Sequence, residues 1–176
     1  MFKQIIFSAM SLASLCANSQ TYGGIGVTSA KLSDKISSEN AEISTTALRA
    51  IFGYKVSPKL SVEGIAAFGL NNSTFNVSTA PNSKLNIDYM LGIYAKPTIN
   101  ITPQLTAFFR AGMAQTQTTI YNQGNSMKTI NNGFSYGLGM NYELGKTTFL
   151  NLDYMFYVNN EQTKATGITA GLDYLF

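Results

Sequence analysis

Apolar and polar side chains alternate along the end of this chain. Counting back from Phe176, the residues Tyr174, Leu172, Ala170 and Ile168 share one face, and Leu175, Asp173, Gly171 and Thr169 share the other, because successive side chains of a β-strand project to opposite sides. The same period of two recurs upstream. Leu48, Ala50, Phe52, Tyr54 and Val56 oppose Arg49, Gly53 and Lys55, and Leu60, Val62, Ala66, Phe68 and Leu70 oppose Ser61, Glu63, Gly69 and Asn71. Leu85, Ile87, Tyr89, Leu91, Ile93 and Ala95 then oppose Asn86, Asp88, Gly92 and Lys96, and Leu105, Ala107, Phe109, Ala111 and Met113 oppose Thr106, Arg110 and Gly112. Two further segments place Phe134, Tyr136, Leu138, Met140 and Tyr142 against Ser135, Gly137, Gly139, Asn141 and Glu143, and Leu150, Leu152, Tyr154, Phe156 and Val158 against Asn151 and Asp153. Residues 21–31 are glycine-rich and weakly patterned, with Ile25 and Val27 as their apolar pair. The pattern predicts eight strands.

The connections between these segments carry as much information as the segments. Short turns around Ser57-Pro58-Lys59, Asn100 to Pro103 and Leu144-Gly145-Lys146 alternate with longer polar stretches, expected as loops, at roughly 32–46, 71–84, 117–132 and 159–166. Alternating long and short connections describe an up-and-down topology, and apolar faces of about 9 to 11 residues match a tilted strand crossing a bilayer. A soluble eight-stranded barrel also alternates, but it turns its apolar face inward and its charges outward. Aromatic residues at the ends of the apolar faces, Tyr54, Tyr142, Tyr174 and Phe176, suit the girdle of a membrane barrel. The expected fold is all-β, an eight-stranded antiparallel up-and-down transmembrane β-barrel.

The amino terminus fits that destination. Met1-Phe2-Lys3 puts one positive charge before an apolar run to Leu15, and small residues follow at Ala17 and Ser19, the layout of a secretory signal peptide. Residues 1–19 are expected as the signal and 20–176 as the barrel domain, which starts at Gln20. The apolar run is too short for a spanning helix, which needs about 20 residues. Loss of Cys16 with the signal leaves the exported protein without cysteine, so no disulfide holds it. Charged residues make up only 12% of the chain, against about 25% in a soluble domain.

The stretches Asn132-Gly-Phe-Ser-Tyr-Gly-Leu-Gly-Met-Asn-Tyr142, Leu150-Asn-Leu-Asp-Tyr154 and the last ten residues resemble the late strands of the OmpX/Ail group of small outer-membrane proteins. The resemblance implies an eight-stranded barrel without an open pore, located in the outer membrane of a Gram-negative bacterium, some of whose relatives bind host surfaces or serum factors through extracellular loops. It implies lipid and lipopolysaccharide, periplasmic chaperones and the barrel-assembly machinery as partners. It also gives Ile168, Ala170, Leu172, Tyr174 and Phe176 the role of a carboxy-terminal assembly signal.

Candidate chemistry lies on the polar face. Arg49, Lys96 and Arg110 against Glu63, Asp88, Glu143, Asp153 and Asp173 all project inward in this phase, into a lumen just wide enough to be filled by side chains. They are expected to pair as a charge network that plugs the barrel. Ile51, Ile65, Phe108, Phe149 and Met155 also fall inward, as lumen filling or as marks of a slipped register. The chain has no histidine, which removes the usual general base of barrel hydrolases and the commonest metal ligand. Gly24-Ile25-Gly26 is not followed by a helix pattern, so no nucleotide loop is expected there. No enzyme activity, cofactor, metal or nucleic acid is expected, and the barrel is expected as a monomer. Activity falls to the polar loops, in surface adhesion or envelope integrity, with a narrow small-solute pore as a further alternative. Replacing Phe176 by Asp is expected to lower the amount of folded, heat-modifiable protein in outer-membrane fractions; wild-type levels would refute the assembly role.

Overall fold

A computed structural model describes residues 20–36, 39–71, 73–77, 80–122, 125–159 and 163–176, and the expected signal segment lies outside them. The strands are β1 (Thr21–Ile36), β2 (Glu39–Ser57), β3 (Leu60–Gly69), β4 (Ser73–Val77), β5 (Ala80–Asn100), β6 (Leu105–Asn122), β7 (Asn125–Glu143), β8 (Thr148–Asn159) and β9 (Thr163–Leu175). All pairings are antiparallel. β3 and β4 pair in succession with β5, from Leu60↔Pro97 to Ala67↔Met90 and then from Ser73↔Leu85, so together they fill one place in the wall. The β1–β9 and β3–β5 pairings close the sheet into an eight-stranded up-and-down barrel. Its ends are tied directly, since the Phe176 amide donates to the Thr21 carbonyl at 3.0 Å.

Alternation decides which side of the wall each residue takes. On β7, Phe134, Leu138, Met140 and Tyr142 are exposed on the outer face, whereas Ser135, Gly137 and Gly139 between them are buried. The lumen holds the core, with Tyr22, Ile51, Ile65, Met90, Tyr94, Met155 and Tyr157 in one cluster. The apolar residues that interrupt the polar face therefore fill the interior: Ile51, Ile65, Phe108 and Met155 are all buried. Room for them comes from glycine. A Cβ on Gly53 would lie within the Tyr22 ring, and one on Gly112 would overlap the Ile93 carbonyl, so these inward positions admit no side chain while their neighbours keep their places.

Aromatic side chains mark both ends of the apolar belt. Tyr54, Tyr142, Tyr174 and Phe176 are exposed at the short-turn end, the last two in an edge contact with ring centres 5.5 Å apart. Toward the opposite rim, Phe134, Tyr136, Phe156 and Tyr154 form a chain of ring contacts at 5.9, 4.9 and 5.0 Å. Rings with polar tips suit the boundary between hydrocarbon and water.

Two expectations are corrected. The described parts of all four long polar connections are largely strand rather than loop: β1 and β2 pair up to Ile36↔Glu39, β4 and β5 up to Val77↔Ala80, β6 and β7 up to Asn122↔Asn125, and β8 and β9 up to Asn159↔Lys164. Backbone ladders extend there without an apolar face, on threonine-rich sequence such as residues 115–119, whose β-branched side chains favour extended backbone. Second, the phase of β5 is not continuous. The register against β6 shifts between Ile87 and Tyr89, a β-bulge that places two successive residues against one partner. Above it Ile87 lines an interior cavity with Met90 and Thr118, so Ile87 does not join the outer face with Leu91 and Ile93.

Candidate functional site

One hydrogen-bonded chain of charges crosses the lumen. Glu63 on β3 accepts from Lys96 on β5 at 2.8 Å, from Arg110 Nε on β6 at 2.5 Å and from the Tyr22 hydroxyl on β1 at 2.5 Å. Arg110 reaches the other way through Nη1 to Asp153 on β8 at 2.5 Å. Asp153 in turn accepts both terminal nitrogens of Arg49 on β2, with Nη1 at 2.9 Å. Arg49 Nη2 also donates to Asn151 at 3.2 Å, and Asn151 donates to Asn141 on β7 at 2.7 Å. Seven of the eight wall positions are bound together, and Arg110 is the shared link because its planar fork donates in two directions.

These groups have left water almost entirely. Arg49, Glu63, Lys96, Arg110, Asp153 and Asp173 are all buried, three of each sign. An unpaired ion in such a place costs several kcal/mol, and only close partners with further hydrogen bonds offset it. Aromatic faces add to the pairing. Lys96 Nζ lies 5.1 Å from the centre of the Tyr22 ring and 4.4 Å from that of Phe108, over which the Arg110 guanidinium also rests at 4.4 Å.

The eight charges expected in the lumen divide into three groups. Arg49, Glu63, Lys96, Arg110 and Asp153 form the chain of ion pairs. Asp173 is buried beside it and, among the described residues, receives a long hydrogen bond, 3.4 Å, from Asn151 and no ion pair. Asp88 and Glu143 stand apart. Asp88 is the bulged residue of β5, and its carboxylate accepts from Gln117 at 2.9 Å, Thr119 at 2.6 Å and Asn86 at 3.2 Å. The bulge breaks the alternation that would have turned Asp88 into the lumen, and the network lies eight residues along the strand at Lys96. Glu143 is half-buried at the short-turn end of β7 and joins no ion pair among the described residues. Sequence reasoning assigned no role to Tyr22, Tyr94 or Tyr157, although Tyr94 between the outward Ile93 and Ala95 was legible as inward.

Charges occupied by one another offer little chemistry. Among the described residues no group of three His, Cys, Asp or Glu is placed to hold a metal, and every carboxylate of the chain of ion pairs already receives two or more donors. The arrangement fills the lumen between its strands with paired side chains. Arg110→Met, which leaves Glu63 and Asp153 each short of a cation, is expected to cost about 3–5 kcal/mol in urea unfolding of the barrel in lipid vesicles. Lys146→Met in an exposed turn is expected to stay within about 0.5 kcal/mol, and equal effects of the two variants would contradict the network's structural weight.

Comparison with known proteins places the fold among outer-membrane barrels. Neisserial surface protein A superposes with a TM-score of 0.69 at 16% identity, covering 89% of this chain and 97% of that one. Ail, the attachment invasion locus protein of Yersinia pestis, gives 0.63 at 14% identity over 89% and 98% of the two chains. OprG from Pseudomonas aeruginosa gives 0.61 at 14% over 89% and 96%. At these identities the likeness is one of fold, and no curated protein matches in sequence. The family model for the outer membrane protein beta-barrel domain matches residues 5–176, and the chain belongs to that family.

Proposed function

We propose that this protein is exported by residues 1–19, inserted by the barrel-assembly machinery into the outer membrane of a Gram-negative bacterium, and acts there as a closed, non-enzymatic surface barrel. Its working surface is the sheet that rises beyond the apolar belt, and the partner it fits is a host-surface or serum protein. One observation carries this reading. The β6–β7 ladder runs without interruption from Leu105↔Tyr142 to Asn122↔Asn125, whereas β7–β8 pairing stops at Tyr136↔Phe156. Residues 125–135 of β7 therefore have a ladder partner on one edge only among the described residues. An open strand edge offers a row of backbone donors and acceptors to an extended segment of another chain.

The plugged lumen supports this reading over a pore, since it leaves the rim as the place for activity. The absence of histidine from the chain supports a binding rather than a catalytic role. Ail, whose barrel is similar in fold, is called an attachment invasion locus protein and has been solved with the heparin analogue sucrose octasulfate. Neither its name nor that ligand is evidence of what this chain binds, but both support a surface-binding class. Within the membrane the barrel contacts lipid and lipopolysaccharide as a monomer.

Replacing residues 119–128 by a two-residue Asn-Gly turn, which suits a tight hairpin, is expected to abolish binding of expressing cells to host cells or serum proteins. Folding, read as heat-modifiable mobility, is expected to persist. Unchanged binding would remove the hairpin from the account and leave a barrel that serves envelope integrity alone.

A further inference from the structure

Below the ion network, at the short-turn end, the lumen widens into a cavity of about 160 Å3 lined from β1, β2, β3, β5, β6, β7, β8 and β9. It lies under the roughly 300 Å3 typical of sites for drug-sized ligands. Lys96 forms part of its lining and is already held by Glu63. The two other charges that line it have no ion-pair partner among the described residues. Asp173 is 3% exposed, receives the 3.4 Å hydrogen bond from Asn151, and has no ion-pair partner among the described residues. Lys55 reaches the same cavity from β2, half-buried, and likewise has no ion-pair partner among the described residues.

The Asp173 carboxylate is held where it is by the opposite strand. Gly24 pairs with Asp173 across the β1–β9 ladder, and a Cβ on Gly24 would overlap Asp173 Oδ1. The position thus accepts a carboxylate only because the facing residue has no side chain. The cation that acts on it across the cavity, Lys96, is committed to Glu63, and a buried acid with no direct ion pair carries a cost that a bound cationic group offsets. The buried charges of the lumen already balance, three against three. Asp173 together with Lys55 therefore presents one acid and one base to a guest, with the amides of Asn100 and Asn141 and the hydroxyls of Ser61 and Thr98 between strand ends around them.

We propose that this vestibule binds a zwitterion no larger than a dipeptide, its ammonium on Asp173 and its carboxylate on Lys55. A guest of that kind satisfies both charges without changing the net charge of the site. Phe149 and Leu175 supply an apolar wall for a small side chain. One molecule that carries both a carboxylate and an ammonium answers both groups at once, which an anion or a cation alone does not.

The test is titration of the isotope-labelled full chain in lipid nanodiscs with diglycine, N-acetylglycine and glycinamide, the last two each lacking one charged end. Diglycine is expected to give saturable amide shifts confined to the short-turn end, around Thr98, Asn100, Asn141 and Leu175, with affinity about tenfold or more above either analogue. Lys55→Met, at the mouth and outside the ion network, is expected to weaken diglycine by about tenfold and leave glycinamide unchanged. Asp173→Asn is expected to weaken both. Absence of saturable shifts, equal binding of all three compounds, or diglycine binding unaffected by Lys55→Met would each overturn the proposal.

Discussion

The barrel depends on the buried chain of charge that runs from Lys96 through Glu63, Arg110 and Asp153 to Arg49. In a soluble domain the core is apolar and water takes the charges. Here the outer face is surrendered to hydrocarbon, the short strand repeat sends every second residue inward, and the interior must absorb the polar residues of the wall. Eight strands leave little room for water around the ion pairs, whose side chains are almost wholly buried. The charges are therefore obliged to pair with each other, and in doing so they join strands that are not neighbours in the sheet. Backbone ladders hold adjacent strands together; the ion pairs hold opposite sides of the cylinder at a fixed separation.

Much of this was legible in the sequence because the period of two is enforced by lipid on one side and by packing on the other. Arg49 between Leu48 and Ala50, and Asp153 between Leu152 and Tyr154, could take only one orientation. The pattern failed where that enforcement lapses. Ile87-Asp88-Tyr89-Met90-Leu91 contains apolar residues in both phases, so nothing in it marks the bulge at Asp88. Beyond the apolar belt both faces of a strand meet water, and the alternation vanishes although the hydrogen-bonded ladder continues. For this reason polar stretches such as residues 117–132 read as loops and are paired strand up to Asn122↔Asn125. Which carboxylate meets which cation was not legible at all, since partners such as Arg49 and Asp153 come from strands distant in sequence and only the closed cylinder brings them together.

The two ends of the molecule differ in what the wall has left unsatisfied. At the short-turn end the strands finish together, and what has no ion pair among the described residues includes the cavity-lining charges Asp173 and Lys55. Toward the long hairpins what remains without a second ladder partner among the described residues is backbone, along residues 125–135. The proposed guests follow from this difference, a small charged solute for the first and an extended chain for the second, with the ion network lying between them.

Closure of the lumen by that network is the central claim, and recording from single barrels in planar lipid bilayers tests it most directly. A lumen closed by Arg110 and its partners predicts no steady conductance from the wild-type protein over the range of potentials a bilayer tolerates. A large, steady ion current through the wild-type barrel would contradict it.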